Sequence, residues 1–175
     1  MEIDLKAKVR TIPDWPKKGI MFRDITTLLK DPEGFQEVIK RFVDHYQDQN
    51  IDVVAGIESR GFIIGGALAH ELNIGFVPIR KKGKLPAEIE GIDYDLEYGT
   101  DRIEIHKDAI TAGQNVLLID DLIATGGTAF ASCKLIEKIG GKIAGCGFII
   151  DLPDLKGKEK IKQYPFFTLI EFEGE

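Results

Sequence analysis

The stretch Val116-Leu117-Leu118-Ile119-Asp120-Asp121-Leu122-Ile123-Ala124-Thr125-Gly126-Gly127-Thr128 decides the fold. It opens as an unbroken aliphatic run, the pattern of a strand buried on both faces. Adjacent carboxylates, Asp120 and Asp121, stand at the carboxyl end of that run. A short loop of small and hydroxyl residues then leads into a helix expected over Thr128 to Ile139, which Gly140-Gly141 would stop. Gly126 and Gly127 let the backbone turn tightly and approach a ligand. The N–H groups of the loop, from Ala124 onward, can converge on a phosphate, and the helix N-terminus adds a favourable dipole. Thr125 and Thr128 add hydroxyl donors. Asp120 and Asp121 cannot share that phosphate, because like charges repel. They suit ribose hydroxyls, or a metal ion reached directly or through water. The implied ligand is a sugar monophosphate with vicinal hydroxyls. A tight strand-to-helix turn with no ligand is the plainer alternative, but it leaves two carboxylates without compensation.

Outward from this stretch, apolar strands alternate with helices. Asp31-Pro32 supplies an N-cap and first-turn proline for a helix carrying Phe35, Val38, Ile39, Phe42, Val43 and Tyr46 on one face and running to about Gln49. Strands are expected over Asp52 to Ile57, Phe76 to Ile79, Asn115 to Ile119, Lys142 to Ile150 and Phe166 to Phe172, with a helix over Arg60 to Leu72. A short helix is expected before Pro13. This order predicts an α/β fold: an open, mostly parallel sheet flanked by helices, with ligands at the carboxyl ends of the strands. From Arg80 to about Asp95 the apolar periodicity fails, which predicts a long loop of the kind that serves as a lid.

Composition limits what such a protein does. The chain has 175 residues, enough for one domain. Twenty-three Lys and Arg against 29 Asp and Glu give a net charge of −6, which argues against a general nucleic-acid grip. Ile143 to Ile150 is the longest strongly apolar stretch, far short of the roughly 20 residues of a membrane helix. The start, MEIDLKAKVR, lacks the apolar core of a secretory signal, so a cytoplasmic protein without membrane partners is expected. Cys133 and Cys146 are expected as small buried apolar groups. P-loop, dinucleotide and zinc-protease motifs are absent, and His45, His70 and His106 read as surface or satisfied histidines.

VLLIDDLIATGGT resembles the phosphoribosyl pyrophosphate signature of the type I phosphoribosyltransferases. Further segments, PDWPKKGIMFRDIT, AGIESRGFIIG, IRKKGKLP and YDLEYGTDRIEIHKDAI, resemble the adenine phosphoribosyltransferase family, in the family's order. The resemblance covers roughly residues 8 to 172 and implies the type I phosphoribosyltransferase fold in a single domain. It adds a small N-terminal hood over about 1–30 and a flexible lid over about 80–105. The implied reaction joins adenine to phosphoribosyl pyrophosphate, giving AMP and pyrophosphate, with magnesium held mainly through substrate and water near Asp120 and Asp121. A homodimer is implied as well.

The resemblance also implies roles. Met21 and Arg23 would read the adenine edge through their backbones while Phe22 stacks on the ring. Glu58, Ser59, Arg60, Arg80, Lys81, Lys84 and Tyr98 would bind pyrophosphate. Asp120, Asp121, Ala124, Thr125, Gly126, Gly127 and Thr128 would hold the ribose phosphate. Glu97 would be catalytic, either in proton transfer or by stabilising the sugar cation. Gly61 permits an unusual backbone conformation, and the resemblance implies a strained peptide in this loop. Residue chemistry is compatible: Ser59 offers a hydroxyl, and Arg60 a planar fork suited to phosphate. Without the resemblance, Arg80-Lys81-Lys82-Gly83-Lys84 reads as a solvated charge run and Phe22 as core. Two other readings remain at this point: a regulator that binds phosphoribosyl pyrophosphate without catalysis, and the same transfer to hypoxanthine or guanine.

Overall fold

The computed structural model describes residues 3–96 and 99–174. The short helix expected before Pro13 is reduced to one 3-10 turn, and a hairpin follows it. Lys6–Lys8 make a single 3-10 turn, after which β1 (Arg10–Pro13) pairs antiparallel with β2 (Met21–Asp24), setting Ile12 opposite Phe22. The reversal lies in the Pro- and Gly-containing segment between them, where Asp14 Oδ1 accepts the Gly19 N–H at 2.7 Å.

Two helices follow, α1 (Thr26–Lys30) and α2 (Pro32–Tyr46). Pro32 occupies the first turn and Asp31 the N-cap position, both as expected, and the Asp31 carboxylate also pairs with Lys8. The helix stops short of Gln49. Its last apolar residue, Tyr46, is buried, and its hydroxyl donates to the Cys146 carbonyl at 3.3 Å. The residues beyond it, Asp48, Gln49 and Asn50, have no apolar side chain to pack.

The main sheet contains β3 (Val53–Ile57), β4 (Gly75–Lys81), β5 (Ile89–Asp95), β6 (Thr100–His106), β7 (Asn115–Ile123), β8 (Lys142–Asp151) and β9 (Phe166–Glu171) in the order β5-β6-β4-β3-β7-β8-β9. The β4-β3-β7-β8-β9 part is parallel, while β5 and β6 add antiparallel at one edge. Strand alternation splits the core in two. Val116 and Leu118 of β7 face a cluster containing Leu135 and Ile136 of α4 (Gly127–Lys138). Leu117 and Ile119 face another containing Phe42 of α2 and Ile64 and Leu68 of α3 (Arg60–Glu71). Cys133 and Cys146 meet inside the first, as free buried thiols with sulfurs 3.5 Å apart.

The segment expected as a loop from Arg80 is largely strand. β4 continues to Lys81, which pairs with Ile103, and β5 and β6 form a hairpin running from Ile89 opposite His106 to Asp95 opposite Thr100. Charged residues interrupt its apolar ones, which hid the period-2 signal. Glu97 and Tyr98, expected in catalysis and pyrophosphate binding, lie outside the described residues.

Candidate active site

The strand that carries the carboxylates is longer than its aliphatic run suggested. β7 passes through Asp120 and Asp121 to Ile123, still paired with β8, and only Ala124, Thr125 and Gly126 form the loop. Gly126 ends that loop in the left-handed region, φ 79°, as the cap of α4. The first N–H groups of α4 therefore point to the same end of the sheet as the carboxylates.

At the equivalent end of β3, the chain turns through Glu58 and Ser59, joined by a cis peptide, into α3. Gly61 needs no unusual backbone angle. What it requires is space: a Cβ there would stand 2.8 Å from the Ile119 carbonyl and 3.2 Å from Asp120 Oδ1. The turn thus lies directly against the carboxylate end of β7. Arg60 uses this proximity, its Nε donating to Asp121 Oδ2 at 2.5 Å. Asp120 is half-buried, and its Oδ1 accepts the Asp121 N–H at 2.9 Å. Loss of solvent, then the neighbouring Asp121 charge, push the Asp120 carboxyl well above the usual range, against a smaller opposing pull from Arg60.

One cavity of about 390 Å³ collects the expected base and ribose-phosphate residues. Met21, Phe22 and Arg23 of β2 form one wall, Asp120 through Thr128 the other, and Arg60 reaches in beside them. The Phe22 ring is braced by Trp15, which packs edge-on at 4.5 Å between centroids. Asp24 pins the end of β2: burial works against its charge, but Thr26 and Arg10 bond to it and hold the carboxyl below its usual range.

Three of the other expected pyrophosphate residues, Glu58, Arg80 and Lys84, form a cluster of their own, while Lys81 pairs elsewhere. Arg80 Nε and Lys84 Nζ both bond to the Glu58 carboxylate, at 2.8 and 2.9 Å. Burial acts to raise the Glu58 pKa, yet bonds from Lys84 and Arg80 outweigh it and keep the group below the usual carboxylate range. A carboxylate so engaged gathers these two cations at the end of β3. Lys81 pairs with Asp101 and donates to the Tyr94 hydroxyl at 3.2 Å. That hydroxyl also accepts from Thr128 Oγ1 at 3.3 Å, so β5 touches the first turn of α4, next to the loop expected to hold phosphate.

Sequence reasoning missed several contributors. Ile20, Leu152 and Leu155 line the cavity. Leu152 follows β8 directly, and the rule that sites gather at strand carboxyl ends was the available signal. Tyr94 and Asp101 had no such signal, since strand pairing across the hairpin sets their positions.

A phosphate-sized loop at a helix N-terminus, ribose-sized carboxylates and an aromatic wall in one cavity define a protein that takes a nucleotide or its parts. Comparison with known proteins agrees. The model of the phosphoribosyl transferase domain family matches residues 24–174. An adenine phosphoribosyltransferase of Desulfosudis oleivorans is 57% identical over 173 residues, 99% of this chain and 100% of the relative. The crystal structure of adenine phosphoribosyltransferase from Thermoanaerobacter pseudethanolicus superposes with a TM-score of 0.93 at 48% identity, covering 96% of this chain and 98% of that one. The Saccharomyces cerevisiae enzyme, complexed with adenine and an imino-altritol bisphosphate, gives 0.90 at 42% identity, covering 95% and 96%. The chain belongs to the phosphoribosyltransferase family and, within it, to the adenine phosphoribosyltransferases.

Proposed function

We propose that the chain transfers the 5-phosphoribosyl group from phosphoribosyl pyrophosphate to adenine, giving AMP and pyrophosphate in purine salvage. The observation that carries this reading is the single cavity shared by Phe22, Arg60 and the Asp120–Thr128 segment. The C1–oxygen bond to pyrophosphate breaks with its electron pair leaving on oxygen. The adenine N9–C1 bond forms, and the N9 proton departs.

Phe22 stacks on the base, and the backbones of Met21 and Arg23 read its edge, which distinguishes an amino from an oxo group. Asp120 and Asp121 orient the ribose hydroxyls. Ala124, Thr125, Gly126, Gly127 and Thr128 take the 5-phosphate. Arg60, with Arg80, Lys81 and Lys84 of the lid, faces the leaving pyrophosphate. Arg60 Nε and Arg80 Nε are committed to carboxylates. Their terminal nitrogens are the forks for phosphate oxygens. Ser59, Tyr98 and Glu97 keep the roles implied by resemblance, Glu97 acting on the base proton or the sugar cation.

Among the described residues, no group of three or more His, Cys, Asp or Glu is arranged to hold a metal ion. Two neighbouring carboxylates fit magnesium whose other positions are filled by substrate oxygens and water. Magnesium so held would draw charge from the leaving pyrophosphate. The protein acts as a cytoplasmic homodimer, with residues of about 1–30 as hood and about 80–105 as lid. No helix among the described residues is long and apolar enough to cross a membrane.

The test is an assay with adenine, phosphoribosyl pyrophosphate and magnesium, following AMP and pyrophosphate, with hypoxanthine and guanine in parallel. Turnover with adenine alone is expected. Turnover with another base would discard the assigned base reading. Donor binding without turnover would favour a regulator.

A further inference from the structure

The chain following β8 packs against the phosphate loop. Leu152 N–H donates to the Ile123 carbonyl at 3.1 Å, tying this chain to the end of β7. Five residues further on, Gly157 starts the short helix α5 (Gly157–Lys160) and is buried against the loop. The contact is backbone on backbone. A Cβ at Gly157 would lie 2.3 Å from the Ala124 carbonyl oxygen and 2.9 Å from the Gly126 nitrogen. Reciprocally, a Cβ at Gly126 would lie 2.4 Å from the Gly157 carbonyl oxygen. Neither partner can move toward the other.

The next residue anchors the segment. Lys158 Nζ lies 2.7 Å from Asp151 Oδ2 and 2.9 Å from Glu171 Oε1 on β9. Asp151, at the end of β8, is 1% exposed. A carboxylate removed from water needs its cation, so Lys158 is not free to leave.

We infer that Gly157 is a positioning residue for the 5-phosphate loop, held in place by the Asp151–Lys158 ion pair. The inference rests on the reading above, in which Ala124–Gly126 takes the donor phosphate. Because Leu152 and Leu155 of the same segment line the cavity, this piece of chain registers the base wall against the phosphate loop. A loop whose N–H groups converge on phosphate works only at the right distance, and displacement by about 1 Å can cost 10²-fold.

The experiment is a double-mutant cycle read by steady-state kinetics and AMP calorimetry. Gly157→Ala should raise both the KM for phosphoribosyl pyrophosphate and the Kd for AMP at least about tenfold, with kcat changed far less. In a background of Asp151→Asn with Lys158→Met, the segment can yield, and the same Gly157→Ala change should cost less than about threefold. Donor KM and AMP Kd both left within about twofold of the parent by Gly157→Ala would overturn the positioning role. An equal effect in both backgrounds would overturn the anchoring role. If Gly157→Ala does not fold, Asp151→Asn with Lys158→Met alone should still raise the donor KM about threefold or more, and an unchanged KM overturns the proposal. A wild-type protein without adenine turnover would defeat the functional reading instead. Ribose 5-phosphate binding to wild type and Gly157→Ala would then decide the positioning role independently.

Discussion

Arg60 and Asp121 stand 61 positions apart in the chain and 2.5 Å apart in the fold, Arg60 Nε donating to Asp121 Oδ2. The bond ties the turn after β3 to the carboxylate end of β7, two parts of the chain that line one cavity. Asp121→Asn keeps the shape and removes the charge. Affinity for phosphoribosyl pyrophosphate and for AMP should fall about 10- to 100-fold, the range for a charged hydrogen bond. Titration calorimetry with AMP and the donor KM check it, and wild-type values for both would contradict the role of Asp121.

Phe22→Ala should raise the KM for adenine roughly 5- to 150-fold, the equivalent of about 1–3 kcal/mol of base stacking. The melting temperature should hardly change, since Phe22 lies on a hairpin outside the main sheet. Trp15 is the chain's one tryptophan and touches Phe22, so its fluorescence should respond to adenine. That response should disappear in the variant.

Glu58 gives an acid dependence with a definite sign. Its folded-state pKa lies below the ordinary value of about 4.3. Its contribution is therefore fully present above that value and is lost as pH falls through the lowered folded pKa. Glu58→Gln should cost about 1–2 kcal/mol at neutral pH, because the bonds to Arg80 and Lys84 weaken on a partly exposed surface. Urea unfolding at stepped pH should show the gap closing in acid. A gap independent of pH would reject the clamp.

Asp120 runs in the opposite direction. Its folded pKa is raised, so the charged form opposes folding once pH passes the unfolded value of about 3.9. Asp120→Asn should therefore raise the melting temperature at neutral pH by about 2–4 °C while weakening ribose binding. In strong acid the two proteins should melt together. A destabilised variant at neutral pH would show that the Asp120 charge is compensated in the folded protein.

Much of this was readable without coordinates, and the reason is locality. The helix through Phe35 and Tyr46 shows its period within one segment, and VLLIDDLIATGGT holds a strand, its carboxylates, a turn and a helix start in unbroken order. Phosphate-loop chemistry depends on neighbouring backbone groups, so contiguous residues are enough to announce it. The hairpins were not readable in this way. Met21–Asp24 and Ile89–Asp95 are short and interrupted by charge, and become strands by pairing with partners their own sequence does not name. Contacts between distant segments were equally hidden: Glu58 gathering Arg80 and Lys84, Tyr94 reaching Thr128, Gly157 against Gly126. Each depends on strand register and on how loops pack at one end of the sheet. Local order thus carried the type of fold and the motif at the end of β7, whereas chain folding in three dimensions set which charges are neutralised, which segments line the cavity, and what packs against Gly126.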